Sequence, residues 1–293
     1  MGINKMGIII YRQLRLWLLL LATGSSLMGA KLVIKGSDTL GAKLVPQLAE
    51  AFKSSNLVSR GEVTIEIAAE GSATGIASVI DGAADIGMLS RSLRPQEIAQ
   101  AEARGMELEL IEIARDALVA IVNERNPLKE LSLQDLRAIF TGEVENWAAL
   151  SDLPLPISAY ARNTSSGTYV AFQQLALRSR NYGLRIQKMA GNEQIAHEVA
   201  GNLAAIGYVA LAYTQNPGIR TLQINGLSPT NGAYPLARPL YFLINRSAPS
   251  SPLREQFIRH TLSQRGQDLV QEIDFMPARI AGQAPNPQIE ARD

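Results

Sequence analysis

Apolar positions along the chain fall into two alternating rhythms. "KLVIKG" at residues 31–36 is an apolar run of strand length, and after it Leu40, Leu44, Leu48 and Phe52 recur at helical spacing, which predicts a helix over 39–53. "VTIEIAAEG" alternates with a strand's period, "TGIASVIDG" gives a short helix closed by Gly82, and "ADIGMLS" a further short strand. "PQEIAQAEARG" reads as a helix with Pro95 at its start and Gly105 at its end. The long strand-like stretch "LELIEIARDALVAIVN" follows, with a break expected near Arg115 and Asp116, and then the helix "LSLQDLRAIFTG" opened by Ser132.

The second half repeats the style. "PISAYAR" is a strand, "TYVAFQQLALRS" and "EQIAHEVAGN" are helices, "AAIGYVALAY" is a strand or strand–turn unit, and "RPLYFLIN" is a late apolar strand. "SPLREQFIRHTLSQRGQDLVQEI" predicts a helical hairpin or a broken helix, and the Pro-rich polar tail "AGQAPNPQIEARD" is expected to be poorly ordered. Alternating strands and helices imply an α/β protein with mostly parallel sheet covered by helices.

The first thirty residues depart from this rhythm. They carry Lys5, Arg12 and Arg15, the apolar run "LWLLLLATGSSLMGA" and no acidic residue, the layout of a secretory signal peptide ending near Ala30. Three of the 28 basic side chains lie there, so the remainder carries 25 against 27 acidic ones, a net charge of −2. That balance gives no reason to expect a nucleic-acid partner. Cysteine is absent, which excludes disulfides, a thiol nucleophile, zinc–thiolate sites and a lipidated N-terminal Cys. The expected product is an exported, freely diffusing protein without a lipid anchor, held in a periplasm. Its length of about 260 residues fits one large α/β domain or two small ones.

Candidate chemistry sits at three strand-to-helix junctions of one composition: "GSDT" at 36–39, "GSATG" at 71–75 and "NTSSGT" at 163–168. Each puts Gly, Ser and Thr where free backbone N–H groups open a helix, so each is either a plain N-cap or an anion site. In open α/β sheets, ligands sit at the carboxyl ends of strands, where three such loops would converge. Arg162 closes the strand before the third loop, placing a guanidinium fork able to grip two oxygens of a tetrahedral anion. No glycine is followed by Lys and then Ser or Thr at P-loop spacing, so a nucleotide-hydrolysing site is not expected.

On these residues the chain resembles the periplasmic phosphate-binding proteins of ABC phosphate importers. "GSDTL", "EGSATGI", "ADIGMLSR", "ARNTSSGTYVAF", "AAIGYV" and "YPLARPLYFLIN" occur in that family's order. The resemblance implies a two-lobed type II fold, each lobe a mostly parallel sheet flanked by helices. Lobe 1 would comprise 31–117 and 238–293, lobe 2 residues 118–237, joined by two crossover strands near 115–119 and 235–239. It also implies a monomer that takes inorganic phosphate without catalysis, cofactor or metal and delivers it to a membrane permease. Thr39 and the backbone of Leu40 would donate from the first loop, with Ser37 and Asp38 beside them, and Ser72 from the second. Arg162, Ser166, Gly167 and Thr168 would bind from the other lobe.

The family's well-known members carry an aspartate five residues after the Asp of the "DIG" segment, where it accepts a hydrogen bond from protonated phosphate. Here that position is Ser90, followed by Arg91. A carboxylate facing sulfate would find no proton to share and would repel it, so losing the acceptor opens the site to other oxyanions. Asp38 either substitutes for it or caps the helix at Thr39. Arg91 would add a cation to the pocket or pair with Asp38.

Two other readings stand beside this one. The ligand could be sulfate, molybdate or tungstate. A hydrolase or phosphatase using Ser166 or Ser72 would need a base, and the two histidines, His197 and His260, both read as helix-surface residues. Glu66 and Glu70 lack His or Cys partners for a metal.

Overall fold

Strand β1 (Ala30–Gly36) is flanked by two parallel neighbours, β2 (Val63–Ala69) and β3 (Ile86–Leu89). The protein is described from a computed structural model covering residues 30–55 and 63–278. Residues 1–29 of the expected signal peptide and the polar tail from Ala281 lie outside it. Helical segments follow the three strands in turn: a turn at Leu40–Leu44 running into α1 (Val45–Lys53), then α2 (Ser72–Ile80) and α3 (Pro95–Glu102). The Leu40–Leu44 turn is π-helical, with the Val45 amide donating to the Leu40 carbonyl. Pro46 has no N–H to return to Ala42, and the wider turn accommodates its ring. The expected apolar face holds: Leu40, Leu44, Leu48 and Phe52 are fully buried. Phe52 meets Phe257 edge-on at 5.4 Å between ring centroids.

In the second half, β6 (Ser158–Arg162) lies between parallel β7 (Gln187–Met189) and β8 (Ala205–Ala210). Helix α4 (Leu133–Thr141) opens at Ser132, whose Oγ accepts from the Asp135 amide at 3.0 Å. Helices α5 (Gly167–Leu175) and α6 (Asn192–Gly201) follow β6 and β7. Behind them Phe172 and Tyr208 stack at 3.7 Å, and Phe140 packs against both.

The two parallel sets join through an antiparallel pair, giving the order β2-β1-β3-β11-β4-β8-β6-β7. β4 (Leu108–Asn123) pairs with β11 (Ala237–Asn245) as far as Ala117 and with β8 from Leu118 onward. Short strands β9 (Ile219–Thr221) and β12 (Met276–Pro277) also pair with β4, while β5 (Glu130–Leu131) and β10 (Gln223–Ile224) form a separate ribbon. This is the expected two-lobed α/β architecture.

One expectation fails here. β4 does not break at Arg115 and Asp116 but runs unbroken for 16 residues. The irregularity is a bulge in β4 at Ile113, which faces no partner where Leu240 pairs with Ala114 and Tyr241 with Glu112. Asp116 stays in the strand because Arg238, directly opposite, neutralises it.

The C-terminal segment is a broken helix, α7 (Pro252–Leu262) then α8 (Gln264–Glu272), with Ser263 ending the first and its Oγ accepting from the Gly266 amide of the second. His197 is exposed on α6, as expected, but His260 is not a surface residue: only 5% exposed, it packs against Phe52 with ring centroids 5.5 Å apart. No helix among the described residues is long and apolar enough to cross a membrane.

Candidate anion site

The three junctions singled out in the sequence meet where the β1–β3 set faces the β6–β8 set. Gly71 makes the second one possible: its φ of +121° suits glycine, and a Cβ there would lie 2.7 Å from the Ser165 carbonyl of the third. The Ala73 amide donates to that same carbonyl at 3.1 Å, so the two loops are bonded directly. Gly167 is as tightly placed, since a Cβ on it would overlap the Ser72 hydroxyl and come within 2.8 Å of Ser72 Cβ.

Hydroxyls fill the interface. Thr39 and Thr168 stand Oγ1 to Oγ1 at 3.0 Å, both buried. The Ser37 and Ser90 hydroxyls bond to each other. Ser72 Oγ accepts from the Ser90 amide at 3.0 Å, which leaves its proton to give away. Ser166 caps α5 by accepting from the Thr168 amide at 3.1 Å. Leu40 begins the π turn with its side chain fully buried.

Arg162 is 1% exposed. Its Nε and Nη2 donate to the Ala190 carbonyl at 3.2 and 2.7 Å, which aims Nη1 at the interface. Nη1 lies 3.0 Å from Asp38 Oδ2 without the alignment of a hydrogen bond, so this buried nitrogen has donors to spare. Burial pulls the Arg162 pKa down and the Asp38 carboxylate pulls it back up.

Asp38 is no helix cap. It already lies inside the first helical turn and makes no capping bond. Its Oδ2 instead accepts from the amide and the side-chain Nδ2 of Asn192, at 3.2 and 2.8 Å, and pairs with Arg162. Tyr213 supports the loop from the same side, its hydroxyl 3.3 and 3.2 Å from the Asp38 and Thr39 carbonyls. Arg91 does not pair with Asp38. It forms a two-pronged ion pair with Glu97, at 2.8 and 2.6 Å, because the start of α3 brings that carboxylate to it. Its stem still borders the site, with Cγ 3.3 Å from where a Gly167 Cβ would be. Glu66 pairs with Lys31 at 2.8 Å.

Sequence reasoning missed Asn192, Asp116 and Arg238. Asn192, the first residue of α6, donates through Nδ2 toward Asp38 and Thr39 while its Oδ1 accepts the Ala210 amide at 3.1 Å, which fixes which end donates. Arg238 on β11 gives Nε and Nη2 to Asp116 Oδ2, at 3.1 and 2.8 Å, and Nη1 to Thr168 Oγ1 at 3.0 Å. Burial raises the Asp116 pKa, and the facing guanidinium and Leu211 amide oppose that. The available signal was charge placement: Asp116 and Arg238 interrupt otherwise apolar strands, and a charge there needs a partner.

Each arginine of the cleft is thus matched to a carboxylate: Arg162 to Asp38, Arg238 to Asp116, Arg91 to Glu97. With those charges balanced, helix N-termini and hydroxyls add uncharged donors of the kind that suit an anion. Neither histidine is hydrogen-bonded to Ser72 or Ser166, whose Oγ atoms accept backbone amides. A groove of about 460 Å³ beside Tyr182 and Leu184 contains none of the donor residues.

A profile of the PBP superfamily domain matches residues 22–265. The phosphate-binding protein PstS of Pseudomonas aeruginosa is 30% identical over 252 residues, spanning 76% of this chain and 77% of that protein. A structure with bound phosphate, of a Clostridium perfringens protein assigned as a phosphate ABC transporter substrate-binding protein, superposes with a TM-score of 0.77 at 30% identity, over 85% of this chain and all of that one. An ABC-type phosphate transport receptor from Vibrio cholerae shares the fold at a TM-score of 0.69, covering 85% of this chain and all of its own, at 24% identity. The chain belongs to the PBP superfamily and, within it, to the phosphate-binding proteins of ABC phosphate transporters.

Proposed function

We propose that this chain binds inorganic phosphate in the cleft between its two lobes and presents it to the membrane permease of an ABC importer. The lobes are residues 31–117 with 238–293, and 118–237, and the protein acts in the periplasm as a monomer once its signal segment is removed. The observation that carries the reading is Arg162 Nη1: a buried cationic donor with hydrogen-bonding capacity left over, in an interface lined by the hydroxyls of Thr39, Ser72 and Thr168. The names of the Pseudomonas and Clostridium relatives point to the same ligand.

Binding is capture without a chemical step. The anion sheds water as the lobes close, and donors from both sides replace it: Thr39, Leu40 and Ser72 from one, Arg162, Ser166, Gly167 and Thr168 from the other. Each charge-assisted hydrogen bond is worth about 1.5–3 kcal/mol net of the water it replaces, so binding needs nearly every anion oxygen to find a donor. Asp38, at the edge of the donor set, is the acceptor for the proton of HPO4, the part that Ser90 cannot play as a carboxylate would.

Calorimetric titration with phosphate, sulfate, molybdate and tungstate tests the assignment. Micromolar or tighter phosphate binding with much weaker sulfate binding supports it; sulfate binding as tight as phosphate defeats it. Ser90 favours that second outcome, a general oxyanion carrier, and the same titration decides between them.

A further inference from the structure

Arg238, which the sequence did not single out, reaches Ser90, Thr168 and Thr39 of the cleft at once. It stands on β11, 3% exposed, in register with Asp116 on β4. Two of its nitrogens are spent on Asp116 Oδ2, and Asp116 Oδ1 is fixed in turn by the Leu211 amide at 3.0 Å. That clamp turns Nη1 toward the cleft, where it donates to the Ser90 carbonyl at 3.2 Å and to Thr168 Oγ1 at 3.0 Å. Nη2 comes within 3.5 Å of Thr39 Oγ1, as does Asn192 Nδ2.

A hydroxyl has one proton and two acceptor sites, and a guanidinium can only donate. Thr168 Oγ1 therefore receives from Arg238 and must direct its own proton elsewhere. Thr39 Oγ1 meets donors from Arg238 and Asn192 and is constrained in the same sense. Between the two hydroxyls one proton can be shared, and the other points out of the pair. An oxyanion seated there takes both.

We propose that Arg238, clamped by Asp116, is a positioning residue of the anion site that holds the Thr168 and Thr39 hydroxyls as donors. This rests on the anion-binding reading above. Because Asp116 balances its charge, Arg238 orients the site without adding net attraction, a task separate from that of Arg162. It also sorts the ligand's oxygens: the threonine side accepts only bare oxygens, and the protonated oxygen of HPO4 must face Asp38.

The test is a double-mutant cycle read by phosphate calorimetry, with the melting temperature of each ligand-free variant measured alongside. Arg238→Lys keeps a cation beside Asp116, but one ammonium cannot span Asp116, the Ser90 carbonyl and Thr168 together. Thr168→Val removes the hydroxyl through which Arg238 is argued to act. Arg238→Lys is expected to weaken phosphate binding by about tenfold in the wild-type background, and by no more than about twofold when Thr168→Val is already present. Equal losses in both backgrounds, or no loss in either, overturn the proposal. If Arg238→Lys does not fold, the neutral exchange Asp116→Asn with Arg238→Gln takes its place in the same cycle, with the same two outcomes. A wild-type protein that binds neither phosphate nor sulfate removes the anion reading itself, and this proposal with it, before any variant is made.

Discussion

Asp38 Oδ2 and Arg162 Nη1 face each other across the cleft at 3.0 Å, a carboxylate in the first helical turn after β1 and a guanidinium at the end of β6. The pair gives Asp38 two tasks that can be separated. As an acceptor it holds the proton of HPO4; as a counter-charge it tempers the pull of Arg162 on a dianion. Asp38→Asn is expected to raise sulfate affinity relative to phosphate by about tenfold, since the carboxylate that repels a proton-free oxyanion becomes a neutral amide that can turn its NH2 to the ligand, while the cation remains. Calorimetry with both anions at two pH values measures the ratio. Equal weakening of both would reduce Asp38 to a tie between the lobes.

Arg162→Lys should cost phosphate binding about 2–3 kcal/mol, roughly a hundredfold, because a lysine ammonium cannot hold the Ala190 carbonyl and still present a planar edge to the ligand. The melting temperature of the ligand-free protein reports whether the loss is local.

Gly167→Ala separates stability from function. An added methyl at the first position of α5 lowers the chain's unfolded freedom and favours the helix by about 0.5–1 kcal/mol, yet it overlaps the Ser72 hydroxyl only when the two loops are together. The open protein is therefore expected to melt no lower than wild type while phosphate affinity drops at least about tenfold. Small-angle scattering with saturating phosphate should show less compaction than in the wild type.

His260 predicts an acid-sensitive slope. Burial, with the Arg265 charge adding to it, holds its pKa below the ordinary 6.5, and its buried Nε2 has no hydrogen-bond partner. Below about pH 6.5 the unfolded chain takes up a proton that the folded chain refuses, so stability falls with pH until the folded pKa is passed. Urea melts at a series of pH values between 7 and 5 should show that slope, and His260→Leu should flatten it.

Much of this arrangement was legible because it is local. A loop of Gly, Ser and Thr opening a helix announces its free amides within a few residues, and Arg162 lies within six positions of Thr168, so one stretch of chain reveals both. The pairings were not legible, because they join distant positions. Arg91 seemed available to Asp38 until α3 placed Glu97 on it, and His260 seemed to lie on a helix surface until Phe52 covered it. The error over β4 is the most instructive. Arg115 and Asp116 interrupt an apolar run, and an unpaired charge there would break the strand. Pairing with Arg238, 122 residues away, removes that cause.

The continuity of β4 has a further consequence. Ala117 pairs with Ala237 of β11 and Leu118 with Ala210 of β8, so a single strand passes from one side of the molecule to the other in the middle of a hydrogen-bonded ladder. The two sides therefore share β4 and the backbone ladders on both its edges. Heat or urea should therefore unfold the whole molecule in one cooperative transition, and phosphate, by bridging the cleft, should shift that transition as a unit rather than protect one half.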